Sequence, residues 1–165
     1  MSGVSGIYPA DYYLLVIPNN STGVTTGFGD GSQALFDYTK AFNLSGVSQF
    51  GATNIGAAYL TGGKVTSLGL NIGQFGWSEE NNNNIKKISC SDTSTIILYN
   101  DNTITGYGYH VSSDSLIELN IPDTVIQGHV IDISNSSSHA SFILDYRYVV
   151  RPPAPPACAG ITYVN

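Results

Sequence analysis

Positive charge is scarce in this chain: Lys40, Lys64, Lys86, Lys87, Arg147 and Arg151 stand against twelve acidic residues, for a formal net charge of −6. No run of basic side chains exists to neutralise a phosphate backbone, which disfavours nucleic acid as a partner. Charge of either sign is sparse at 11% of residues, while 42% are hydrophobic, so the water-facing groups must come from Asn, Ser, Thr, Gly and Tyr. No apolar stretch approaches the ~18 residues a membrane-spanning helix needs, and no membrane partner is expected. Met1-Ser2-Gly3-Val4 lacks the basic-then-apolar pattern of a secretory leader, so no compartment is specified.

Cysteine is limited to Cys90 and Cys158, too few for a disulfide framework, and Cys90 is expected as a small buried thiol. Three histidines, His110, His129 and His139, are the full supply, and no Cys-His spacing suggests zinc. Glu79-Glu80 reads as a solvated loop pair. None of the glycine-rich segments has the Gly-x-x-x-x-Gly-Lys-Ser/Thr order or opens a helix, so phosphate cradling is unsupported. No catalytic, metal or cofactor-binding residue is assigned, no cofactor is expected, and the chain does not read as an enzyme.

Repeats are what the chain has. A template of apolar residue, two residues, apolar residue, nine residues, apolar residue fits Val4-Ile7-Ile17, Val47-Phe50-Leu60, Ile85-Ile88-Leu98 and Val130-Ile133-Ile143. The copies begin 43, 38 and 45 residues apart. After the third position the first three copies turn and re-emerge as a second strand, over 23–30, 64–71 and 103–110. In each of these an apolar or aromatic residue precedes glycine: Phe28-Gly29, Leu68-Gly69 and Tyr107-Gly108. Tyr59–Gly76 is the fullest example, with Gly62-Gly63 between two apolar runs marking a hairpin, because a primed two-residue turn needs positive φ. Gly69 is expected to halt its strand or to admit a close neighbour.

Leu116-Ile117-Glu118-Leu119 adds a further strand signal, and Asn81–Asn84 reads as a loop. The fourth copy breaks off after Tyr146-Arg147-Tyr148-Val149-Val150 at Pro152-Pro153-Ala154-Pro155-Pro156, where sheet pairing should stop for want of ladder donors. The chain therefore divides into a blade-like repeat domain, 1–150, and a proline-rich extended C-terminal arm, 151–165.

A period near 40 with short strands is the mark of blade repeats. At this level the residues resemble the regulator of chromosome condensation repeats, a β-propeller family. The resemblance is carried by Ala58-Tyr59-Leu60-Thr61-Gly62-Gly63-Lys64-Val65, Leu68-Gly69-Leu70-Asn71 and Gly73-Gln74-Phe75-Gly76. Ile88-Ser89-Cys90 and Ile133-Ser134 stand where that family has an apolar residue, a small one and Cys or Ala, and His139 resembles its frequent histidine. Tyr13, Gly56 and Ser94 fill that column in the other copies, and Phe28, Leu68 and Tyr107 replace the family's tryptophan.

The expected fold is all-β: about three and a half propeller-blade-like repeats, forming a partial or oligomer-completed β-propeller. Closed rings have about 4–8 blades, so the open ends should be covered by other protein subunits, either further copies or assembly partners. Trp77, Tyr107, Tyr109, Tyr146, Tyr148, Pro152, Pro153, Pro155 and Pro156 are the candidate interface residues, the aromatic ones because rings dominate interfaces at low entropy cost. Most of the tyrosines are nevertheless expected to fill space between blades. The leading functional reading is a non-enzymatic structural or protein-interaction module in a larger assembly, with a phage or virus particle as one setting. The resemblance implies an alternative as a GTPase regulator, and the tyrosines suggest a glycan-binding module as another.

Overall fold

In the computed structural model the described residues are 3–19, 24–30, 32, 36–69, 82–110, 115–118, 129–136 and 140–145. Twelve strands among them form four small antiparallel sheets, one for each copy of the sequence template. Blade 1 contains β1 (Gly3–Pro9), β2 (Tyr13–Asn19) and β3 (Thr26–Gly29). Blade 2 contains β4 (Gln49–Ala52), β5 (Gly56–Thr61) and β6 (Lys64–Gly69). Blade 3 contains β7 (Ile85–Cys90), β8 (Ser94–Tyr99), β9 (Ile104–His110) and β10 (Ser115–Glu118). Blade 4 contains β11 (Val130–Asn135) and β12 (Ala140–Leu144). Tyr13, Gly56 and Ser94, the residues of one repeat column, open β2, β5 and β8. A 3-10 turn, Tyr38–Ala41, lies between blade 1 and blade 2, its Thr39 N–H met by the Asp37 carboxylate.

The template's offset of three is not a strand period, since residues three apart on a regular strand face opposite ways. A β-bulge resolves this. The pairing of β1 with β2 shifts between Val4 and Gly6, that of β7 with β8 between Ile85 and Lys87, and that of β11 with β12 between Val130 and Asp132. Each bulge inserts one unpaired residue and returns the two apolar template positions to a single face. Val4 thus opposes Pro18 while Ile7 opposes Val16, two positions on the same side of β2. The third template residue projects from the other side of the second strand.

These two directions build the core. Call the face toward the lower-numbered blade leading and the other trailing. Trailing Leu15 and Ile17 of blade 1 meet leading Val47 and Phe50 of blade 2. Trailing Ala58 and Leu60 meet Ile85 and Ile88, and trailing Ile96 and Leu98 meet Val130 and Ile133. All twelve of these side chains are buried. The core is therefore three interfaces between adjacent sheets, each drawn from the same repeat positions.

The hairpin of blade 2 forms as its glycines require. Thr61 pairs with Lys64 around Gly62 and Gly63, which take φ of 56° and 78°. Gly69 ends β6 with φ of 99°, and the Phe36 ring lies so close that an added Cβ would come within 2.6 Å of it. Asn82 extends this sheet with its side chain: its Oδ1 accepts from the Val65 N–H at 2.7 Å and its Nδ2 donates to the Val65 carbonyl at 2.8 Å. Leu70–Gly76, which carries part of the family resemblance, lies outside the described residues, as do His139, Cys158 and the arm 151–165.

Candidate functional site

The first strands of the four sheets, β1, β4, β7 and β11, run beside one another without joining into one sheet. Between them lies a groove of about 340 Å³, lined by Tyr8 from blade 1, Phe50 and Gly51 from blade 2, Lys87 and Cys90 from blade 3, and Asp132 and Ile143 from blade 4. All four repeats thus face one axis.

The residue just before the second template position borders this groove in blades 2, 3 and 4, as Gln49, Lys87 and Asp132. Gln49 spans to blade 3 with both ends of its amide, donating from Nε2 to the Ile88 carbonyl at 2.8 Å and accepting the Ile88 N–H at Oε1 at 3.0 Å. Lys87 carries the link onward through an ion pair with Asp132, whose Oδ1 also accepts the Ile133 N–H at 2.8 Å. The hydrogen bond from Lys87, more than its charge, holds the Asp132 carboxyl below the ordinary range. Both side chains keep a third or more of their solvent exposure, so the pair contributes at most about 1 kcal/mol. In blade 1 the place is taken by Gly6, because the Tyr8 ring folds across it; the Tyr8 ring also meets Phe50 edge-on at 5.8 Å.

A second row of links joins the turns between first and second strands. The Asn54 backbone N–H donates to Asp92 at 2.9 Å, and its Nδ2 donates to Asp11 at 2.6 Å, so one residue of blade 2 ties blades 1 and 3. Asn135 repeats the device by donating to the Ser94 carbonyl at 3.0 Å and hydroxyl at 2.9 Å. Tyr13 adds a buried hydroxyl that reaches the Thr53 carbonyl at 2.6 Å, and burial pushes its ionisation well above the ordinary value. Of the groove's polar side chains, Gln49, Lys87 and Asp132 are thus engaged in holding blade to blade. Among the described residues, no three His, Cys, Asp or Glu side chains converge.

Cys90 retains some solvent contact as a residue, yet its sulfur packs on Gly51 where β7 crosses β4. Burial pushes the thiol up to about 12, against a smaller downward pull from Thr95.

The outermost repeats expose what the inner ones bury. Val4 is 54% exposed and Ile7 61%, although their equivalents Val47, Phe50, Ile85, Ile88, Val130 and Ile133 are all buried. Phe28 is 66% exposed, whereas its counterparts Leu68 and Tyr107 pack against the preceding blade. At the other end Ile143 is 55% exposed, while Ile17, Leu60 and Leu98 at the same repeat position are buried. The leading face of blade 1 thus leaves Val4, Ile7 and Phe28 open, and the trailing face of blade 4 leaves Ile143 open beside Asp132, Ser134 and Ser141.

Of the sequence-derived interface residues, Tyr107 lies on β9, partly buried against the cluster between blades 2 and 3. Tyr109 lies on the same strand, paired in register with Leu116. Trp77, Tyr146, Tyr148, Pro152, Pro153, Pro155 and Pro156 fall outside the described residues. Tyr8, Tyr13, Tyr59 and Tyr99 pack on the inter-blade clusters, the role expected of most tyrosines. The axial Gln49, Lys87 and Asp132 were not singled out from sequence. The signal for them was their shared place one residue before Phe50, Ile88 and Ile133.

The four sheets about one axis, three of them built on a bulged first strand, define a partial β-propeller fold. No family model matches the chain, and none of the curated proteins does. Among solved structures, yeast RCC1 (Prp20) bound to Kap60 is similar with a TM-score of 0.58 at 16% identity, over 87% of this chain and 42% of that one. Prp20p from Saccharomyces cerevisiae, reported with its binding properties to Gsp1p and histones, gives 0.59 at 14% over the same shares. Human WBSCR16 gives 0.55 at 14%, over 87% of this chain and 45% of that one. The chain thus spans less than half the length of each of these propellers.

Proposed function

We propose that this chain is a non-enzymatic propeller module that works by binding protein through its open blade faces within a larger assembly. The observation that carries this reading is the exposure of Val4, Ile7 and Ile143 at positions that every inner interface buries. Apolar surface of this kind is stabilised by leaving water, and a neighbouring sheet is the surface these positions already fit. The similar yeast proteins are described with protein partners, Kap60 in one case and Gsp1p and histones in the other, which supports the same direction. The particle setting gains no support from the fold, and the reading stands without it.

The test is a photo-cross-linker, benzoylphenylalanine, placed at position 7 or 143 in the producing cells. Adducts with a protein chain are expected at both positions. Absence of any adduct at either one sinks the reading.

A second reading, regulation of a GTPase, is favoured by the likeness to Prp20p with its reported binding to Gsp1p. It expects this chain to accelerate nucleotide release from a small GTPase. An unchanged release rate counts against it for the GTPase tried.

A further inference from the structure

We infer that the leading face of blade 1 and the trailing face of blade 4 are the two halves of one more blade interface, and that a second copy of this chain supplies the missing half at each end. This rests on the protein-binding reading above and names the partner.

The match is written in the repeat. Within the chain, Ile17, Leu60 and Leu98 on trailing faces are buried together with the Val47-Phe50, Ile85-Ile88 and Val130-Ile133 pairs on leading faces. The unused trailing residue at this position is Ile143 and the unused leading pair is Val4-Ile7. Setting Ile143 of one copy on Val4 and Ile7 of another creates a fourth contact at the same repeat positions, with Ser141 standing where the inner contacts have Leu15, Ala58 and Ile96. Phe28 lies on the same face, one strand beyond β2 from that pair, at the repeat position where Leu68 and Tyr107 pack on the inner interfaces. The same contact forms in reverse at the other end, so each copy gives one leading and one trailing face.

Size and direction fit a closed ring. One chain covers 42–45% of the similar propellers, so two cover 2 × 42 = 84% to 2 × 45 = 90% of such a length. Tyr8 of blade 1 and Ile143 of blade 4 both border the axial groove, so a copy docked on both open faces also encloses that groove. Head-to-tail contacts either close by rotation or run on as a filament, and a half-turn closes two copies.

Light scattering on the purified 165-residue chain at micromolar concentration is expected to give twice the chain mass. Ile7→Asp and Ile143→Asp should each raise the dimer dissociation constant by roughly a hundredfold, since each sets a carboxylate in an apolar contact. Both residues are exposed in the single chain, so both variants should retain the wild-type circular dichroism; the milder Ile7→Ser and Ile143→Ser serve if either does not. An equimolar mixture of the two variants should recover a heterodimer, because one of its two contacts has both faces intact. A wild-type monomer, a mass that grows with concentration beyond two chains, or a dimer indifferent to either substitution overturns the inference. The cross-linker separates the two claims: adducts of twice the chain mass support the second copy, and adducts of any other mass leave protein binding standing while ruling this partner out.

Discussion

Gly51 shows how closely the blades approach. A Cβ there would lie inside contact distance of the Cys90 sulfur and 2.9 Å from the Cys90 Cβ. Gly51→Ala should therefore destabilise the chain by about 1–3 kcal/mol, the cost of overpacking a tight crossing, as read by urea unfolding. Cys90→Ala in the same background should restore part of that loss, giving a non-additive double-mutant cycle. The thiol makes a separate prediction. Its ordinary value is 9.0 and burial raises it to about 12, so between those values the unfolded chain releases a proton that the folded chain keeps. Stability should be fully present below pH 9.0 and fall as pH climbs through that window. Alkylation at pH 8 should accordingly label Cys90 far more slowly in the native chain than in urea; equal rates would show that the sulfur is not enclosed.

At the scale of the element, the blade 2 hairpin depends on Gly62, at φ of 56° with open space around its Cα. Gly62→Asn should cost a few tenths of a kcal/mol, while Gly62→Val should cost about 1–2, since a β-branched side chain resists the left-handed region. Thermal melts of the two variants should separate in that order. This hairpin, the strands β3, β6 and β9 that follow the third template position, and the strand at Ser115–Glu118 were legible because turn chemistry and apolar runs are local signals. The bulge was legible only indirectly, as an offset of three that no flat strand explains, and it took the register between strands to identify it. The 3-10 turn at Tyr38–Ala41 carried no helical pattern, for four residues hold too little periodicity to read. Cross-blade links such as Gln49 to Ile88 join residues 39 apart, and amide side chains in so Asn- and Ser-rich a chain announce no partner. The open faces were foreseen in kind from the count of repeats. Their residues were not, since Val4 and Ile7 look in sequence like the buried pairs they resemble.

Across the whole molecule, the core is divided rather than central. Each sheet is stabilised chiefly by its neighbours, so the two middle blades have an interface on both sides and the outer blades described have one. This division governs how the molecule comes apart. Sheets stacked in this way behave as a short linear array in which local opening is easiest where one neighbour is missing. Backbone amides of β5 and β8 should exchange with solvent most slowly and those of β1 and β12 fastest, with exchange at the two ends slowing once the open faces are covered. The same four copies of one template thus set an order of unfolding, from the ends of the array toward the interface between blades 2 and 3.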